Sequence, residues 1–227
     1  MRLIESYFTQ LHVPYYQDAL RVVEAAARTC YQSEPRADSI GAKEAFVRRL
    51  IKSGHLAMLE HVSMSLRLIV DRGVSHELVR HRLAAYAQES TRYVKYDGDM
   101  EFIIPTWYPT DYEEAILDSA LYRRCATFEN ACKDSESAYK VMLDAGATPQ
   151  EARAVLNNAT KTEIVITANF REWRHIFELR ALGTTGKPHP DMQEIMMKVF
   201  KWAVEEYPVF FDDLVPQSND VKKGGDK

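Results

Sequence analysis

Apolar and polar positions alternate most cleanly between residues 62 and 70. Val62, Met64, Leu66, Leu68 and Val70 interleave with Ser63, Ser65 and Arg67, and His61 extends the polar face. A period of two marks a strand buried on one side. Residues 162–169 repeat the pattern, with Thr162, Ile164, Ile166 and Ala168 set against Glu163, Val165, Thr167 and Asn169. That run is rich in β-branched side chains, which suit a pleated surface. Shorter strands are predicted at 2–8 and, ahead of Pro105, at 101–104. Other segments carry the helical period. Ala19, Leu20, Val23, Ala26 and Ala27 form a stripe within 17–32, and Phe46, Val47, Leu50 and Ile51 form one within 42–53. Asp71-Arg72-Gly73 turns the main strand into a helix that holds Leu78 and Val79, with Ser75 expected as its N-cap. Residues 110–145 read as two helices ended by Gly146, and Pro149 opens a short one. Two more are expected at 170–182 and 189–206, around a Gly/Pro loop. The pattern predicts one mixed α/β domain over 1–215 and a polar, disordered tail over 216–227.

Composition adds bounds. The chain has 227 residues, 46% of them hydrophobic and 27% charged. It is long enough to bury a core without covalent staples. Cys30, Cys125 and Cys132 are odd in number and form no CxxC pair, so neither a disulfide framework nor a zinc site is signalled. All three fall in helical segments and are expected to be buried or half-buried, and they suggest a reducing compartment. No stretch approaches the roughly 20 apolar residues of a membrane span. The N-terminal residues lack the apolar core of a signal peptide, so a cytoplasmic location is expected.

The formal net charge is -4, yet cations are gathered locally. Arg80-His81-Arg82 is followed after seven residues by Ser90-Thr91-Arg92-Tyr93. Hydroxyls beside an arginine in a loop suit small anions. A nucleic-acid surface would call for a basic face on a basic domain. A second group comprises Arg153, Arg171, Arg174 and Arg180, around the 162–169 strand and the helix after it. A helix N-terminus adds free N–H groups to such cations and favours phosphate. The alternative is a solvated helix face paired with Glu172 and Glu178. Cations at a helix C-terminus are likewise stabilising without any ligand, which is the bland account of the Arg80 triplet. Ser90 reads as a phosphate ligand or as a nucleophile, with His81 the one base near it in sequence. His55 and His61 are six apart, not the three or four that place two metal ligands on one helix face, so no metal is expected. Tyr86, Tyr93 and Tyr96 offer faces for stacking or for core packing.

The triplet, its spacing and Ser90 resemble the signature of the flavin-dependent thymidylate synthases. The likeness continues on both sides. It includes Ser53-Gly54-His55 with Leu59-Glu60-His61, the lead-in segment Arg72 to Val79, Ala152-Arg153-Ala154-Val155-Leu156, Asn158 to Glu163, Asn169 and Leu179-Arg180.

The resemblance implies a homotetramer whose active sites draw on several subunits. Each subunit would be an α/β (α+β) domain with a central, largely antiparallel or mixed sheet flanked by helices. The implied reaction is reductive methylation of dUMP to dTMP. Methylenetetrahydrofolate would give the carbon, and FAD reduced by NADPH the hydride. By position, His55, Ala57, Arg80, His81, Arg82, Gln88, Asn169, Phe170, Arg171 and His175 would hold FAD. Glu77, Leu78, Val79, Arg80, Gln88, Glu89, Ser90, Thr91, Arg92 and Arg153 would hold dUMP. Arg180 would sit at the uracil as a catalytic residue, with Ser90 the other catalytic position. Neither nucleic acid nor membrane is an implied partner. The chain departs from the family at Ala57, Ala85, Ala87 and Gln88, where hydroxyl or acidic residues are frequent. A lost hydroxyl forfeits roughly 0.5–1.5 kcal/mol of flavin binding. Two rival readings remain: a flavin-dependent hydroxymethylase of dUMP or dCMP, and a nucleotide- or RNA-binding protein that has lost the flavin.

Overall fold

The computed structural model describes residues 1–35, 37–109 and 118–215. The predicted tail at 216–227 and the start of the first helix predicted within 110–145 lie outside the described residues. Six strands are described: β1 (Arg2–Ile4), β2 (Tyr7–His12), β3 (Ser63–Asp71), β4 (Ala84–Gln88), β5 (Glu101–Ile103) and β6 (Lys161–Asn169). The main sheet is antiparallel and open, in the order β2-β3-β6-β4, while β1 and β5 pair in parallel as a separate ribbon. The helices are α1 (Tyr16–Thr29), α2 (Ile40–Lys52), α3 (Arg72–Leu78), α4 (Ser119–Asp144), α5 (Pro149–Ala152), α6 (Phe170–Ile176), α7 (Pro190–Glu206) and α8 (Pro208–Phe211). The fold is mixed α/β, as the alternation and helical stripes predict.

Contacts among the described residues gather into two compact units, the first within Met1–Thr9, Arg67–Arg82 and Tyr86–Ile166, the second within Gln10–Leu66, Leu83–Ala85 and the segment from Thr167 to Val215. In the first, Met100, Phe102, Cys132, Tyr139 and Ala152 form a buried cluster. In the second, Phe170 packs edge-on against Phe210 and Tyr207, at centroid separations of 5.0 and 5.1 Å. Trp173 and Phe177 continue that aromatic core, with centroids 5.6 Å apart. Edge-to-face pairs of this kind add about 0.5–1.5 kcal/mol each beyond their buried area.

The two patterned strands bury the expected faces. Met64, Leu66, Leu68 and Val70 are buried in β3, and Thr162, Ile164, Ile166 and Ala168 in β6. Several expectations are corrected. The N-terminal run is two strands rather than one, with β2 reaching His12. His61 closes a 3-10 turn, Leu56–His61, instead of lying on the polar side of the strand. Asp71, not Ser75, caps α3: its Oδ1 accepts from the Val74 N–H at 2.7 Å. Ser75 sits inside the helix and donates to the Arg72 carbonyl at 2.9 Å. Short polar side chains near a helix start compete for the cap, and the one that leaves the strand in extended conformation takes it. Cys30 comes just after the end of α1 and is exposed, while Cys125 and Cys132 are buried. Residues 84–88 form a strand that the sequence pattern does not predict; Ala and Gln carry weak strand preference, and sheet pairing overrides it. No helix among the described residues is long and apolar enough to cross a membrane.

Candidate active site

In the first unit the arginine triplet emerges from the last turn of α3. The N–H groups of Arg80 and His81 donate to the Glu77 and Leu78 carbonyls, both at 3.2 Å. The Tyr86 phenol then ties the turn down, lying 2.8 Å from the Leu78 and the His81 carbonyl oxygens. The result is a buried His81 between exposed Arg80 and Arg82. Leu78 is fully buried, so any contact it makes with a ligand runs through its backbone. Gln88, the last residue of β4, points inward. Its Nε2 donates to Ser75 Oγ at 2.9 Å and to Thr162 Oγ1 at 3.2 Å.

The segment after β4 makes a compact polar turn. Ser90 Oγ accepts from the Arg92 N–H at 3.4 Å, and the Ser90 carbonyl accepts from the N–H groups of Tyr93 and Val94. Thr91 is buried, and Arg153 Nη1 lies 3.5 Å from its Oγ1. Arg92 Nε donates to Gln150 Oε1 at 2.8 Å. Two exposed guanidinium groups therefore bracket Ser90 and Thr91. This is a cationic, hydroxyl-lined cradle suited to a phosphate. Among the described residues, the Ser90 hydroxyl bonds to a backbone N–H and to no base.

In the second unit Asn169 ends β6 and caps α6, its Oδ1 accepting from the Glu172 N–H at 2.8 Å. The cap engages the carbonyl end of that side chain and leaves its amide nitrogen as a donor. Phe170 is enclosed in the aromatic core, so its side chain is not a binding surface. Arg171 and His175 are exposed; Arg171 pairs with Glu60 at 2.5 Å. Burial raises the pKa of the Glu172 carboxyl, and the neighbouring His175 offsets part of that rise. Arg174 is a structural arginine, because it is buried and forks onto both oxygens of Asp213 at 2.7 Å. Arg171 and Arg174 thus pair with Glu60 and Asp213. Arg180 lies half-buried in a wide π turn, Phe177–Ala181, closed by the Leu182 N–H on the Phe177 carbonyl at 2.9 Å. His55 precedes the 3-10 turn, and both it and Ala57 are exposed. Two participants go beyond the sequence-based expectation: Tyr86, read there only for stacking or core packing, clamps the triplet, and Gln150, not named there, is the partner of Arg92. Neither stands in a charged motif that would draw the eye.

A family model described as thymidylate synthase complementing protein matches residues 13–209. This chain belongs to that family. Curated relatives carry the name flavin-dependent thymidylate synthase. The one from Mycobacterium marinum is 35% identical over 214 residues, covering 89% of this chain and 83% of the relative. The one from Geobacter sulfurreducens is 36% identical over 211 residues, covering 90% and 84%. The chain is accordingly an enzyme of the flavin-dependent thymidylate synthase family. Its fold is shared with a crystal structure of a UMP/dUMP methylase, PolB from Streptomyces cacaoi, bound with 5-Br dUMP. That likeness has a TM-score of 0.78 at 21% identity and covers 93% of this chain and 96% of that one. The family match spans every candidate residue from His55 to Arg180.

Proposed function

We propose that the enzyme converts dUMP to dTMP, with methylenetetrahydrofolate as carbon donor and NADPH as reductant, and that it works as a homotetramer. The observation that carries this reading is the cradle of Ser90, Thr91, Arg92 and Arg153, whose two guanidinium groups and two hydroxyls supply the charge and donors that a nucleotide phosphate needs. The chemistry of the remaining donors fits FAD. Arg80 and Arg82 in the first unit, and Arg171 and His175 in the second, are exposed cationic or polar groups of the kind that meets an anionic diphosphate. FAD held by these residues would supply hydride chemistry.

The chain's own residues act on the nucleotide. Arg92, Arg153 and the Ser90 and Thr91 hydroxyls fix the phosphate. Ser90 serves as a ligand, since no base stands ready to activate it among the described residues. Making C5 of the pyrimidine nucleophilic moves negative charge onto N3 and the carbonyl oxygens. The Arg180 guanidinium, held half out of water in its π turn, stabilises that charge.

The test is to purify the protein, record its flavin spectrum, and supply dUMP, methylenetetrahydrofolate and NADPH. Formation of dTMP with a bound flavin supports the proposal. A hydroxymethylated nucleotide would instead assign the hydroxymethylase rival, and absence of both flavin and product would leave only a binding role. A parallel reaction with UMP measures whether the ribose 2′-hydroxyl is rejected.

A further inference from the structure

Glu89 is flanked by Gln88, which points into the core, and Ser90, which belongs to the phosphate cradle. Its carboxylate is engaged on both oxygens. Oε1 accepts from the Tyr96 hydroxyl at 2.5 Å, and Oε2 accepts from Lys161 Nζ at 3.2 Å. Lys161 also donates to Glu163 Oε1 at 2.9 Å. The Lys161 and Glu89 side chains are only 16% and 13% exposed, so this is not a loose surface pair. The Glu89 N–H meanwhile donates to the Glu163 carbonyl at 2.8 Å, continuing the pairing of β4 with β6. Tyr96 is anchored in its turn, its ring 5.7 Å from that of Tyr139 and its N–H within 3.4 Å of the Tyr139 hydroxyl. The Glu89–Tyr96 bond therefore closes a loop between residues seven apart, and the cradle residues Ser90, Thr91 and Arg92 lie within it. Glu89, Tyr96, Lys161 and Glu163 line a cavity of about 600 Å³ together with Arg67 and Glu101.

A charged lysine flanked by two carboxylates has little positive potential left for a substrate phosphate, and a carboxylate with both oxygens occupied is not turned to a ligand. We propose that Tyr96, Glu89 and Lys161 form a clasp that positions the Ser90-Thr91-Arg92 cradle for the nucleotide phosphate; this rests on the function proposed above. A cradle left free would have to be ordered at each binding event, at the cost of fixing its backbone. The two donors of the clasp keep their protons. Burial and the adjoining Glu89 push the Tyr96 pKa well up, so it remains a hydroxyl donor. Burial works against the Lys161 ammonium, but Glu163 and Glu89 outweigh it and keep it charged.

The experiment compares Tyr96→Phe, Lys161→Met and Lys161→Arg in the flavin-loaded enzyme. Tyr96→Phe and Lys161→Met are expected to raise KM for dUMP by about fivefold or more, the effect of one lost charge-assisted hydrogen bond, with kcat within about twofold. Lys161→Arg, which keeps the ion pairs, should restore a near-parental KM. The flavin-to-protein ratio should be unchanged and Tm should move by less than about 4 °C. A second arm needs no turnover. Trypsin cleavage after exposed Arg92 and Lys95, without substrate, should accelerate in Tyr96→Phe and Lys161→Met and not in Lys161→Arg. An unchanged KM, an unchanged cleavage rate, or a KM rise matched by flavin loss and a large fall in Tm would each overturn the clasp. If the parental protein makes no dTMP, the functional reading fails, and the trypsin arm alone then decides on the clasp.

Discussion

Arg180 is half-buried, and a π turn, rather than an ordinary helix, sets its direction. Arg180→Ala is predicted to lower kcat by roughly 10²–10³-fold, the usual loss when one preorganised electrostatic partner is removed. Flavin absorbance should be retained, because this side chain is assigned to the pyrimidine; steady-state kinetics beside a flavin spectrum checks both. Arg153→Ala should act differently. Its guanidinium belongs to the phosphate cradle, so KM for dUMP should rise by about 10- to 100-fold while kcat at saturation changes little. Ser90→Ala distinguishes the two roles weighed for that residue. As a ligand it should keep activity within about tenfold of the parent; a nucleophile would leave almost none. The arginines of the site are legible in the sequence because isolated charge clusters in an acidic chain stand out. Their neighbours are not. Tyr86 bonds to backbone carbonyls, Tyr96 to the Glu89 carboxylate across a short loop, and Gln150 to Arg92 far away in the chain, and neither composition nor spacing carries such pairings.

Among the elements, β3 and β6 are readable because one face of each is buried, and a period of two then leaves a plain trace. Strand β4 is not readable. Its sequence, Ala-Ala-Tyr-Ala-Gln, has little strand preference, and only pairing with β6 makes it extended. The π turn is equally invisible, since one extra residue in a helical turn leaves no compositional mark and shifts the phase of the next turn. Helix α6 is held at both ends by side chains, which gives a stability prediction. Asn169→Ala removes the N-cap bond and should cost about 0.5–2 kcal/mol. Arg174→Ala removes the fork onto Asp213 and leaves the Phe210 carbonyl without its donor, for about 1–3 kcal/mol. Urea unfolding of each variant measures both, and equal stability to the parent would refute the roles assigned.

At the scale of the whole molecule, Glu136, a buried carboxylate on α4, contributes acid sensitivity. Burial alone would raise its pKa. Lys140, the Met1 ammonium and the Met100 N–H outweigh burial and bring it from 4.5 to about 2. Because the folded value lies below the unfolded one, the stabilisation is complete above pH 4.5 and is lost as pH falls through about 2. The difference in unfolding free energy between the parent and Glu136→Gln should therefore be constant at neutral pH and shrink in that acid window. Assembly is testable at the same scale, since light scattering should return about four times the 26.1 kDa chain mass. The central claim is chemical and is tested most directly by mass spectrometry of the nucleotide after a single turnover of flavin-loaded enzyme with dUMP, methylenetetrahydrofolate and NADPH. The account predicts dTMP, heavier than dUMP by one methylene unit; recovery of unchanged dUMP, or of its hydroxymethyl derivative, would contradict it.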